Sequence, residues 1–273
     1  EGAEFLSTVL AELLGINQVD VEESLARLEK LHRLVVTRGE EELPDGALAT
    51  RYRFAHALYQ NFLYADLVNT RRVMLHKQAG EQLLQHYGPR SKQIASQLAL
   101  HFERGRDFAR AIEYLIHAGD NATRFYGNGE AADHYTRALD LVERLPVESR
   151  QEARATLFQK RGGVNMALSS FAQSVDDYVN MLKQQDALTP AKKAAALNAL
   201  TTTLFFSHRL EEMEQRADEA LEAAKLAGSE ELRLDTMILM GLKHLCYGEV
   251  HAGMPIIDDV INSARQINYK PAL

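Results

Sequence analysis

The chain has 273 residues, length for two ordinary domains. It is 46% hydrophobic and 25% charged, which excludes a disordered chain, and its net charge of −7 argues against broad nucleic-acid binding. One cysteine, Cys246, leaves no internal disulfide and points to a reducing, cytoplasmic compartment, and no apolar run reaches the roughly 20 residues a membrane helix needs.

Phe5, Val9, Leu10, Leu13 and Leu14 follow helical spacing, and Gly15 ends that helix. Asp20 is placed to cap a second helix, with Glu23 at the capping-box position and Leu25, Leu28, Leu31 and Leu34 as its buried face. Two short strands follow, Leu34-Val35-Val36 and Tyr52-Arg53-Phe54, around an acidic loop with Pro44, Asp45 and Gly46. Helix, helix, strand, loop, strand is the order of a winged helix, expected over residues 1–56. Its second helix carries Asp20, Glu22, Glu23 and Glu29 against Arg27, Lys30 and Arg33, and its loop carries Glu40, Glu41, Glu42 and Asp45. Those carboxylates would meet phosphates, so no direct DNA binding is expected.

The strand at 52–54 runs into His56 and then into an apolar-striped helix with Leu58, Phe62 and Leu63 on one side and Tyr59 and Tyr64 flanking. A helix from Arg71 to Tyr87 follows and stops at Gly88-Pro89. Residues 57–90 are therefore expected as connecting helices. Arg71 and Arg72, near His76 and Lys77, can hold a phosphate or an acidic partner, or simply form a solvated face.

From 91 to 273 the chain reads as about five helix pairs, an α-solenoid of TPR-like repeats forming a right-handed superhelix. Ala95, Leu98, Ala99 and Phe102 face Ala111, Leu115 and Ala118 across the turn at Gly105-Arg106-Asp107. A second, shorter pair is expected at 118–126 and 130–145. Three longer units follow, in which Ser174, Met213 and Gly253 correspond. They lie 39 (174 to 213) and 40 (213 to 253) residues apart, longer than the usual period of about 34. The first helices should line an inner face with Gln159, Met166, Asn198, Thr202, Phe205 and Ile238. That mixed, largely uncharged surface suits a protein segment or a small apolar inducer.

The segments RYRFAHALYQNFLYADL, RRVMLHKQAGEQL and SQLALHFERGRDFARAIEYLIHAGDNA resemble the signal-transduction ATPases with numerous domains. More narrowly, they are similar to bacterial ATPases linked to adenylate cyclase or transcription-factor domains. The resemblance implies an upstream nucleotide-binding domain, then a winged helix, then a TPR-like superhelix that senses a protein or inducer. Phe54-Ala55-His56-Ala57-Leu58 resembles the MHD motif of that class, with Ala57 where the motif carries Asp. By that resemblance His56 is the nucleotide sensor, reaching the β-phosphate of ADP. ADP or ATP is then expected in a parent protein of which this chain is a part, and no cofactor in this portion.

Several chemistries lack support. There is no G-x-x-x-x-G-K-[ST] loop, so the portion is not expected to be an enzyme. Gly127-Asn128-Gly129 lies between helices and not after a strand, which argues against a dinucleotide loop. The ten histidines form no H-E-x-x-H pattern, and no metal site is expected. The alternative to a switch is a constitutive TPR scaffold for protein–protein interaction.

Overall fold

The structure is a computed structural model that describes residues 4–270. The chain is mainly helical with one small three-stranded sheet, and divides into two compact units, Glu1–Asn121 and Ala122–Leu273. The changes of architecture read at 56 and 90 both fall inside the first unit.

In the first unit, β1 (Glu4–Leu6) leads directly into α1 (Ser7–Leu14), and α2 spans Gln18–Arg27. β2 (Val35–Glu42) and β3 (Leu48–Phe54) form an antiparallel hairpin with a bulge between Thr37 and Gly39. β1 pairs with the other edge of β3, giving the order β1-β3-β2. The helical spacing that began at Phe5 therefore starts two residues later. Phe5 stacks on Tyr52 and packs against Phe54 across the sheet. Gly15 ends α1 at φ +66°, as its type suggests.

The α2 cap differs from the expected one. Asn17, not Asp20, is the N-cap, and its side chain accepts from the Val19 N–H. Leu25 is buried, but a π-helical turn at Leu28–His32 breaks the register after it and leaves Leu31 exposed. A polar knot holds α1, α2 and β3 together. Ser7 is buried, donates to Glu22 at 2.7 Å and accepts from the Thr50 N–H at 2.9 Å. Burial opposes the charge on Glu22, but hydrogen bonds from Ser7, Gln18 and Thr50 outweigh it and hold its carboxyl below the usual range.

α3 (Ala57–Asp66) and α4 (Asn69–Tyr87) follow, then a 3-10 segment (Gly88–Ile94), α5 (Ala95–Arg104) and α6 (Phe108–Arg124). Leu98, Phe102, Ala111 and Leu115 are wholly buried, as their spacing requires. The expected separate helix at 118–126 does not exist. α6 runs unbroken to Arg124 because nothing between Ala118 and Thr123 interrupts it.

The second unit contains α7 (Asn128–Leu141), α8 (Val147–Ala167), α9 (Phe171–Leu182), α10 (Pro190–Phe206), α11 (Leu210–Ala227), α12 (Glu230–Cys246) and α13 (Val250–Ile267). Each helix packs on the next, and α10 also touches α12. Packing confined to the next helix and the next helix pair is the signature of helical repeats. The hairpins share one turn. Ser169, His208 and Gly248 all take positive φ. In each case the following N–H bonds the carbonyl five residues back: Ser170 to Asn165, Arg209 to Leu204, and Glu249 to His244. These turns recur 39 (169 to 208) and 40 (208 to 248) residues apart, matching the spacing of the buried Ser174, Met213 and Gly253. Small residues permit close approach, since a Cβ on Gly253 would lie 2.7 Å from the Gly241 carbonyl oxygen.

Candidate functional site

β3 ends where the Ala55 N–H bonds the Leu34 carbonyl at 2.9 Å, and the next residue, His56, is extended (φ −142°, ψ 138°). That conformation makes His56 the N-cap of α3. Its Nδ1 accepts the Leu58 N–H at 3.1 Å. An Nδ1 acceptor places the proton of the neutral ring on Nε2, so an exposed N–H donor sits at the start of the helix. The Tyr59 ring lies edge-on at 6.3 Å.

The stripe on α3 has no core beneath it. Leu58 is 68% exposed and Phe62 76%, and Tyr59 and Leu63, one turn apart, are exposed as well. No residue of α3 is buried. A ten-residue helix is marginal alone in water, so α3 draws its order from its cap and from Tyr64 near its end.

Its anchor is Tyr64. The Tyr64 hydroxyl lies 3.0 Å from His76 Nε2 on α4, and His76 Nδ1 lies 3.2 Å from His101 Nδ1 on α5. The Arg72 and Arg104 guanidiniums sit over the Tyr64 ring, 5.2 and 5.6 Å from its centroid. His76 and His101 are both buried. Burial pushes His76 down to about 4 and His101 down to about 2, and the Arg104 charge acts in the same direction. Both rings are neutral at pH 7. The chain of bonds can run in either direction, and in both His101 Nε2 is left without a partner.

A second histidine fastens the sheet to α4. His86 is buried between two carboxylates, with Nδ1 2.7 Å from Asp45 in the hairpin turn and Nε2 3.2 Å from Glu12 on α1. Sequence reasoning missed this contact and the His76–His101 pair, because only the fold brings partners 41 and 25 residues apart together.

Of the basic pair singled out from sequence, Arg71 is exposed, whereas Arg72 is committed to the Tyr64 ring. The six inner-face residues separate in a similar way. Gln159 is exposed, and Met166 is half-buried. Asn198 donates to the Leu232 carbonyl and to Thr236 Oγ1, tying α10 to α12. Thr202 returns its hydroxyl to the Asn198 carbonyl. Phe205 and Ile238 pack against a core built from α8, α9, α10, α11 and α12. Asn198, Phe205 and Ile238 therefore hold repeats together, whereas Thr202 bonds only within its own helix.

A buried charge lies nearby. Asp177 on α9 is 1% exposed and takes Arg161 from α8 through both oxygens, with the Asn165 amide at 2.9 Å. Among the described residues no cluster of three metal-ligating side chains occurs, and no helix is long and apolar enough to cross a membrane.

No protein-family model matches the chain, and no curated protein matches it. Solved structures do. BtubC (BKLC) from P. vanneervenii is 17% identical over 75% of this chain and 94% of that one, with a TM-score of 0.49. The Rap conjugation gene regulator of plasmid pLS20, solved with the Phr* peptide, is 14% identical over 74% of this chain and 61% of its own, also at 0.49. NprR in complex with its cognate peptide NprX is 14% identical over 92% and 86%, at 0.43. With TM-scores below 0.5, none of these likenesses decides the fold, and the helical-repeat architecture stands on this chain's own recurring turns and neighbour-to-neighbour packing.

Proposed function

We propose that the chain is the regulatory portion of a multidomain signal-transduction ATPase, a winged helix followed by TPR-like repeats. In this reading α3 and His56 form the docking surface for an upstream nucleotide-binding domain. The observation that carries it is the α3 face. Leu58, Tyr59, Phe62 and Leu63 are exposed together beside an imidazole whose Nε2–H is free to donate. A patch of large apolar side chains on a short helix marks an interaction surface. An imidazole donor at its edge suits a phosphate oxygen.

The sequence resemblance supplies the identity of the partner, and the order of two helices and a hairpin at the start of the chain supports the winged helix. The same reading leaves DNA unbound. Glu29 is tied to Thr37, and Glu40, Glu41 and Glu42 line β2, where phosphates would be repelled. Protein partners or an inducer bound in the repeats would shift the balance between docked and released α3, and so the nucleotide state.

The test is hydrogen exchange on the intact protein with ADP and with a non-hydrolysable ATP analogue. Amides of residues 57–66 are expected to be protected in the ADP form and released in the ATP form. Phe62→Asp should abolish the difference while residues 128–267 exchange as before. Identical exchange of 57–66 in both nucleotide states would refute the reading and leave a constitutive scaffold.

A further inference from the structure

The second unit contains a half-open cleft of about 450 Å³ where α9, α10 and α11 meet the 183–189 connection. Pockets for small ligands start at about 300 Å³. Its floor is apolar: Val179 and Leu182 on α9, Leu188 in the connection, and Leu197 on α10. Its rim is cationic: Lys183, Lys193 and Arg216 against a single acid, Glu219. Arg216 spends its charge on Glu219 at 2.8 Å. Lys183 donates only to the neutral Asn180 amide oxygen, and Lys193 is exposed with no carboxylate partner among the described residues. Two ammonium groups thus stand uncompensated over an apolar floor, in a chain whose net charge is −7.

We propose that this cleft binds a small amphipathic anion, a carboxylate or phosphate head on an apolar body of medium-chain length. The head lies between Lys183 and Lys193, and the body covers Val179, Leu182 and Leu188, which are only half-buried. Such a ligand touches α9, α10 and the connection between them, so its binding free energy opposes their separation. The site lies within residues 179–219 and does not depend on how α3 is used.

Calorimetric titration of the full chain tests it with three probes: decanoate below its micelle concentration, decylammonium, and inorganic phosphate. Decanoate is expected to bind one to one in the submillimolar range. Decylammonium, with the same tail and opposite charge, and phosphate, with a head and no tail, should each bind at least tenfold more weakly. The double variant Lys183→Gln/Lys193→Gln should lose decanoate affinity at least tenfold while keeping its circular-dichroism melt. Decanoate binding that survives in this variant, equal binding of decylammonium, or no decanoate binding up to 2 mM would each overturn the proposal. Phosphate binding as tight as decanoate would also overturn it, by showing that the apolar floor contributes nothing.

Discussion

His76 and His101 share a short contact between Nδ1 atoms, 3.2 Å apart, at the point where α3, α4 and α5 are joined through Tyr64. Two imidazoles this close cannot both be protonated, and burial opposes charging even one of them. The unfolded chain protonates both near pH 6.5, whereas the folded one resists until about 4 for His76 and about 2 for His101. A depressed folded pKa means that the unfolded state binds more protons below pH 6.5. Stability is therefore full above that pH and falls as the pH drops toward 4. Each ring costs about 1 kcal/mol at one unit below its unfolded pKa. Urea melts should show the midpoint level from pH 7.5 to about 6.5 and falling from there to pH 5. The variant His101→Leu should flatten that dependence while lowering stability at pH 7.5. A wild-type midpoint independent of pH across this range would contradict the arrangement.

The pair Arg161 and Asp177 makes a second prediction, in the repeats. Removing the arginine leaves a carboxylate that is almost wholly inaccessible, with only the Asn165 amide for company. Arg161→Met should destabilise the chain by about 2–4 kcal/mol, read from the denaturant midpoint. Arg161 is itself partly solvated, so the reverse change, Asp177→Asn, should cost less. Equal costs would mean that burial of the acid does not govern the network.

Two glycines test the packing of the repeats. A Cβ on Gly253 would sit 2.7 Å from a backbone oxygen of α12, which cannot give way without moving a helix. A Cβ on Gly163 would meet only the Tyr178 hydroxyl at 3.7 Å, an ordinary contact. Gly253→Ala should destabilise by about 1–3 kcal/mol, whereas Gly163→Ala, in a helix interior, should stabilise by about 0.5–1 kcal/mol. Thermal melts of the two variants should move in opposite directions.

The repeats were legible because buried positions recur at a fixed spacing. Ser174, Met213 and Gly253 keep the same spacing as the positive-φ residues Ser169, His208 and Gly248. The first unit was harder to read. β1 carries only three residues and shares its apolar pattern with α1, so periodicity merges the two. Asn17 takes the cap expected of Asp20 because the chain turns after Gly15, earlier than an acidic residue alone would indicate. The inner face was drawn from helical spacing, which cannot tell a solvent-facing row from one that meets the next repeat. Asn198 and Ile238 belong to the second kind. Histidine contacts such as His86 to Asp45 and Glu12 have no local signal, since each joins residues distant in sequence.

The most direct test of the proposed switch is the ADP affinity of the intact protein carrying His56→Ala. Loss of the cap bond to Leu58 alone weakens the start of α3 by about 1 kcal/mol and leaves nucleotide binding unchanged. Loss of a charge-assisted bond to phosphate should weaken ADP by roughly tenfold or more and leave ATP little affected. His56→Asn, which retains a capping oxygen, separates the two effects: it should restore the stability of α3 without restoring ADP affinity. An unchanged dissociation constant for ADP in both variants would contradict the account.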